Sequence, residues 1–394
     1  MRRFGLIALL LVCVPALVAA GDCSGCKSEM KFTPYGFVRF DMIYDNTEVA
    51  KGDWLLFVQP GESAQAEQDA LTATARHTRL GFDISKGGCP EEGMVTAKIE
   101  LDFAGGFPNS STAARQPQVR LRHAWMQYAK SNWALRFGQD WALISDPFPG
   151  TANFVVGAGA GNLWMRYPQI QFMQKFDQFK YALSLNRPMA GNNKYDSFAG
   201  GDFDPVGDGE RSGMPWVMGR VWAMVDPVNI SVGGHYGQEQ INDLNLAAHD
   251  MDTYSVVGAV VLKQPKFSLT LNGFYGENLN QFFGGVFQGF VRYDDKVENV
   301  VSFGGWGQVS VDLHEKWNLT VGGGMDDPDE EDLPPEARDR NDWIFGTLTS
   351  KLIPEIAMKL GVDYMKTHYM DDAAGDEIEA GDNVRVTFQT VYSF

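Results

Sequence analysis

Asn383-Val384-Arg385-Val386-Thr387-Phe388-Gln389-Thr390-Val391-Tyr392-Ser393-Phe394 is the stretch that decides the fold. Val384, Val386, Phe388, Tyr392 and Phe394 fall on one face, with Thr390 the exception; Asn383, Arg385, Thr387 and Gln389 fall on the other. Alternation with period two describes a strand whose two faces meet unlike surroundings. An aromatic face backed by a polar one suits a wall between lipid and water. The rest of the chain can be tested against that idea.

The same alternation recurs upstream. Val38, Phe40, Met42 and Tyr44 oppose Arg39 and Asp41, and Val95, Ala97, Ile99, Leu101 and Phe103 oppose Thr96, Lys98, Glu100 and Asp102. The latter strand cannot be buried on both faces, because Lys98, Glu100 and Asp102 would lose water together. Strands are expected at Tyr35–Tyr44, Arg76–Ile84, Met94–Phe103, Gln118–Tyr128, Asn132–Gln139, Met165–Met173, Gln178–Asn186 and Trp216–Met224. Eight more are expected at Val228–Gly237, Thr253–Leu262, Phe267–Tyr275, Asn299–Val311, Lys316–Met325, Trp343–Leu352, Glu355–Met365 and Asn383–Phe394. Short turns such as Ala129-Lys130-Ser131 alternate with long connections: Asp45–Ala75, Ala104–Pro117, Asp140–Trp164, Arg187–Pro215, Gln238–Asp252, Glu277–Glu298, Asp326–Asp342 and Lys366–Asp382. An even strand number with one short-turn rim and one long-loop rim is the pattern of an all-β, antiparallel up-and-down transmembrane barrel. Sixteen strands put both termini on the short-turn, periplasmic side. A soluble sandwich or propeller is the competing fold, but no fixed-length repeat favours a propeller. A terminal Phe after an outward aromatic pattern is also the mark that outer-membrane barrels present to the barrel-assembly machinery.

The other end of the chain agrees. Arg2 and Arg3 precede the apolar run Gly5–Val14, and Val18-Ala19-Ala20 supplies small residues, so 1–20 reads as a secretory signal peptide. Residues 21–34 then form a short periplasmic segment and 35–394 the barrel. Removing Arg2 and Arg3 takes the formal charge from −17 to −19, which disfavours a nucleic-acid partner. The 26 Phe, 13 Tyr and 10 Trp suit aromatic girdles. Cys13 leaves with the leader. Cys23 and Cys26 are spaced for a local bridge in an oxidising envelope; a redox or haem-attachment role competes, although Lys27 stands where haem attachment wants His. Cys89 is left over.

Parity assigns Arg39, Arg79, Arg120, Arg122, Arg136, Arg220, Arg385 and Lys98 to the lumen. Arg166 has the opposite parity to Gln169 and Gln171 unless the preceding loop continues past it. Guanidinium groups in a pore attract anions and grip carboxylates in a bidentate way, but they can also be spent on wall acids such as Asp41, Asp83, Glu100 and Asp102. The third long loop is the candidate constriction, with Asp140, Trp141, Asp146 and Phe148 at its start and glycines beyond; a loop lying on the surface is the alternative. Asp326–Asp332 and Asp371–Asp382 concentrate negative charge, as solvated loops or as cation bridges to lipopolysaccharide. His77, His123, His235, His249, His314 and His368 are scattered, and no nucleophile elbow occurs, which argues against an enzyme. No cofactor is called for. A passive porin is therefore expected, preferring small organic anions; a general or cation-preferring pore, or a barrel serving adhesion or electron transfer, are the alternatives.

Thr74-Ala75-Arg76-His77-Thr78-Arg79-Leu80-Gly81-Phe82-Asp83 resembles the second strand of Gram-negative porins. Lys98–Gly106, Arg120-Leu121-Arg122-His123-Ala124-Trp125 and Leu135–Ala142 resemble the DcaP-like porin family. The resemblance covers about Arg76–Asp146 and the last strand. It implies a homotrimer of sixteen-stranded barrels in the outer membrane, admitting dicarboxylates past Arg79, Arg120, Arg122 and Arg136.

Overall fold

The computed structural model describes residues 29–394, apart from 48, 64–65, 67, 88–92, 106–116, 190–206, 243–246 and 294–295. The expected signal peptide, Cys23, Cys26 and Cys89 lie outside the described residues.

Sixteen antiparallel strands close into a barrel. They are β1 (Met30–Asp45), β2 (Ala70–Thr74 continued by Arg79–Gly87), β3 (Met94–Gly105), β4 (Gln118–Lys130), β5 (Trp133–Trp141), β6 (Arg166–Phe176), β7 (Phe179–Asn186) and β8 (Trp216–Val225). Then follow β9 (Val228–Asn242), β10 (Ala248–Lys263), β11 (Phe267–Glu277), β12 (Val301–His314), β13 (Trp317–Pro328), β14 (Arg338–Ile353), β15 (Ile356–Tyr369) and β16 (Gly381–Ser393). Each strand pairs with its neighbours in sequence, and β1 closes on β16 with Phe37 opposite Ser393 and Asp45 opposite Arg385. Closure satisfies the backbone groups that an open edge would leave bare in lipid.

The closing strand shows how sequence makes the wall. Asn383, Arg385, Thr387 and Gln389 are buried inward, while Val384, Tyr392 and Phe394 are exposed outward. Val38, Phe40 and Met42 on β1, Ile99 on β3, and Val232 and Val256 on β9 and β10 continue the outer apolar surface. The first strand and the last residue meet at the short-turn rim, where Gly36 and Phe394 exchange backbone hydrogen bonds.

Most strands run further towards the long loops than the alternation shows. β1 also begins at Met30 rather than Tyr35 and pairs with β2 from there, so 30–34 belongs to the wall and not to a separate segment. Two departures matter for the lumen. The expected strand Arg76–Ile84 is broken at 75–78, between Thr74 and Arg79, and the break turns both Arg76 and His77 inward. On β4 the register slips: Glu100 faces His123 and Leu101 faces Leu121, which leaves Arg122 as an extra residue. Such a bulge re-aims side chains. Here it lets the consecutive residues Arg122 and His123 both point inward and enclosed.

The long connections are L1 (46–69), L2 (106–117), L3 (142–165), L4 (187–215), L5 (243–247), L6 (278–300), L7 (329–337) and L8 (370–380). L1 carries a small hairpin, Val49–Lys51 with Trp54–Val58.

Candidate functional site

L3 leaves β5, crosses the lumen and docks on the opposite wall before returning to β6. Gly150 N donates to Gln308 Oε1 at 2.7 Å and Ala152 N to Thr347 Oγ1 at 3.2 Å. Thr151 Oγ1 reaches Asp363 at 3.2 Å, and Trp306 Nε1 reaches Asn162 Oδ1 at 3.2 Å. These partners lie on β12, β14 and β15. Glycine permits the approach at two points. Gly161 has φ +101°, and a Cβ there would lie 2.1 Å from Gly305 O; a Cβ on Gly324 would lie 2.5 Å from Ala160 O. No other residue type fits either position without moving the loop.

L1 and L6 fold inward over L3. Leu55 and Val58 pack with Ala160, Trp343, Phe345 and Met365. Trp54 and Leu56 pack with Val155, Ala158, Trp164 and Phe283. Gly159 N donates to Phe283 O at 2.8 Å, and Trp164 N to Phe282 O at 3.0 Å. An apolar plug, continuous across three loops, thus occupies the part of the lumen beside β12–β15.

The other part is charged. Arg120 forks onto Asp102 at 3.0 and 2.7 Å, and Arg122 joins Glu100 at 2.7 Å to Asp102 at 2.8 Å. Arg39 Nε lies 2.8 Å from Asp41, and Arg79 Nε 3.4 Å from Glu100. Arg136 pairs with Asp140, whose other oxygen is 2.8 Å from His123 Nδ1. Lys98 pairs with Asp83 at 2.7 Å. The wall acids are therefore spent on the arginines, but the two partners are not equally hidden. Side-chain exposure is 14% for Arg39 against 1% for Asp41, and 22% for Arg120 against 0% for Asp102. For Arg79 and Glu100 it is 25% and 8%. For Arg39, Arg79 and Arg120 the carboxylates lie behind and the guanidinium groups face the water; Arg122 is buried beside Glu100, and Asp83 is more open than its partner, Lys98.

L1 and L3 cover the upper end of this wall. Phe154 stacks on His77 with centroids 3.6 Å apart, and Arg39 and Arg120 lie 5.6 and 5.9 Å from the same ring. His77 reaches Asp41 through Nδ1 at 2.7 Å and Asp53 through Nε2 at 3.4 Å, and Arg76 also holds Asp53. Burial would raise the Asp53 carboxyl; the bonds from His77 and Arg76 outweigh it and hold the group below its ordinary value.

Not every expected lining residue meets water. Arg385 forks onto Asp45 at 2.8 and 2.9 Å and donates to Asp53 O and Gly52 O, enclosed under L1. Arg220 is also enclosed, pinning Leu143 O and Ser231. Asp146 is exposed on L3, and Phe148 lies 4.8 Å from Trp141. Arg166, of ambiguous parity in the sequence, is inward: it lies 4.4 Å over Trp141 and has no carboxylate within ion-pair distance among the described residues. His123 and Arg76 are the functional neighbours that simple alternation misses, because both owe their direction to a break in it.

The acidic loop stretches are more structured than solvated runs. Asp326 accepts from Gly285 N, Val286 N and Ser302 Oγ, tying L6 to β13. Asp329 caps the turn at 330–332, and Asp372 accepts from Ala374 N and Asp376 N.

A closed sixteen-stranded barrel narrowed by an inward loop is the architecture of the outer-membrane porins. No family model matches the chain, and no curated protein matches it in sequence. Solved structures do match. The outer membrane channel DcaP of Acinetobacter baumannii superposes with a TM-score of 0.74 at 19% identity, over 93% of this chain and 97% of that one. The anion-selective porin from Comamonas acidovorans gives 0.60 at 12% identity, over 93% and 100%. OmpF of Salmonella typhi, in complex with daunomycin, gives 0.60 at 12% identity, over 92% and 97%. The chain thus has the DcaP-like porin fold.

Proposed function

We propose that the protein is an outer-membrane diffusion porin that prefers small organic anions, dicarboxylates among them. The observation that carries this reading is the unequal exposure of three wall pairs: solvent in the lumen meets Arg39, Arg79 and Arg120 while Asp41, Glu100 and Asp102 lie behind. A passing carboxylate can share a guanidinium fork without displacing the wall acid, and the binding stays weak enough for release. The anion-selective porin among the fold neighbours adds support. The same reading puts the short-turn rim and both termini in the periplasm, the long loops among lipopolysaccharide, and the barrel in a homotrimer.

The test is the reversal potential of single channels in a planar bilayer under a KCl gradient. Wild type should be anion-selective and blocked by succinate. Arg120→Ser/Arg122→Ser should move the potential towards the cation side. A cation-selective wild type would overturn the anion preference and leave the pore standing.

A further inference from the structure

Arg166 is the first residue of β6 and follows L3 directly. Its backbone is pinned on both sides. Ala142 N donates to Met165 O at 2.9 Å, Met165 N to Ser145 Oγ at 3.1 Å, and Gln169 Nε2 to Trp141 O at 3.0 Å. The residue is 8% exposed. Its Nη1 is buried without a hydrogen-bond partner, and no carboxylate among the described residues pairs with it. What surrounds the guanidinium group is aromatic: Trp141 at 4.4 Å and Trp164 at 5.9 Å from the ring centroids. Indole faces attract a cation but bring no counter-charge. A guanidinium group withdrawn from water needs one, so this place is short of an anion.

The neighbouring charges deepen the deficit. Arg122 lies 5.8 Å from the same Trp141 ring, so the two guanidinium groups are no further apart than those two distances laid end to end. Arg122 shares Glu100 with Arg79 and Asp102 with Arg120. Three arginines thus divide two carboxylates, and Arg166 brings a fourth positive charge with none. The surplus on this stretch of wall is two, which matches a doubly charged solute. Exposure and attraction are also separated here. Arg79 and Arg120 meet water but are already paired, whereas Arg166 is shielded and its field is unspent, where a low dielectric strengthens it.

We propose that Arg166, held against Trp141 and Trp164, is the residue that discriminates doubly from singly charged organic anions. It takes one carboxylate of the solute while the other stays with the shared arginines around Arg122. This rests on the anion reading of the pore and deepens it: the exposed arginines draw anions in, and the shielded one decides how long they stay.

The experiment records single channels of the full barrel in a planar bilayer, with succinate or butyrate added to the KCl. The two solutes have the same number of carbons and differ by one carboxylate. In wild type, succinate blocks should outlast butyrate blocks by about tenfold or more, as a charged hydrogen-bonded contact allows. Arg166→Gln removes the charge and should bring the two dwell times close together. Arg166→Lys keeps the charge but not the planar fork, so succinate should still outlast butyrate, in shorter events. Equal dwell times in wild type overturn the assignment. So does an Arg166→Gln channel that separates the solutes as wild type does, and so does an Arg166→Lys channel that has lost the order. Any of these in a channel with an anion-selective reversal potential fails Arg166 alone; a cation-selective wild type fails both Arg166 and the reading beneath it.

Discussion

The two sides of the lumen solve different problems. From β1 to β5 the inward residues are arginines backed by carboxylates, and the surface they offer is charged and wet. From β12 to β15 the residues that meet L3 are mostly neutral, Gln308, Gly324, Thr347 and Gly361 beside the buried Asp363, and the surface they offer receives the backbone of L3. One side handles the solute; the other holds the loop that presses the solute against it. Charge and narrowing are thus separable, and mutations on the two sides should fail in different ways.

The largest effect is expected from unseating L3. Gly161→Val places a branched side chain against Gly305 O at a positive φ, a strain of about 1–3 kcal/mol before the clash is counted. Single-channel conductance should rise by about twofold or more, because the crossing loop and not the sixteen-stranded wall limits the opening. An unchanged conductance in folded protein would show that the narrowing lies elsewhere.

Selectivity should respond next, and only on the charged side. Asp102→Asn withdraws the acid shared by Arg120 and Arg122, so the permeability ratio should move further towards anions at little change in conductance. The variant should also unfold more readily, since breaking a buried pair costs about 3–5 kcal/mol. A shift towards cations in bi-ionic potentials would contradict the placing of the carboxylates behind the arginines. Thr347→Val is the matching change on the neutral side. It removes the acceptor for Ala152 N, worth about 0.5–1.5 kcal/mol. Channel noise should grow while the reversal potential stays put; a moved potential would mean that the two sides are not separable.

The smallest effect concerns pH. Asp53 is held below its ordinary carboxyl value by His77 and Arg76, despite burial. Its contribution is therefore fully present above the unfolded value of about 3.9 and is lost only as pH falls through the lower folded value. L1 should stay seated from neutral pH to about pH 5 and loosen below about pH 4. Limited proteolysis within 46–69 across that range reads it directly. Asp53→Asn should show the loosened L1 already at neutral pH.

Much of the wall was legible in the sequence. Each outward strand face reports lipid through residues such as Val38, Phe40 and Met42, and a strand with two unlike faces shows its period whatever its partner. Alternation fails where the period breaks. The interruption at 75–78 and the bulge at Arg122 redirect Arg76 and His123, and neither carries a glycine or proline to mark it. The pairing of each arginine was also illegible. Arg385 looks like Arg39 in its strand, yet one is enclosed under L1 and the other meets water, because a loop distant in sequence decides which is covered. Arg166 needed the path of L3 before its direction could be read.

The seam between β1 and β16 carries one more implication. Arg385, on the last strand, grips Asp45 on the first and at the same time holds the backbone of Gly52 and Asp53 in L1. The earliest loop to be synthesised is therefore among the last to be fixed in place. Arg76 and His77 also hold Asp53, but this anchor does not exist until the final strand arrives, so joining the seam also completes the fastening of the mouth. A barrel still missing its last strand has an entrance loop with one tie unmade, and one that has closed has already fastened its own.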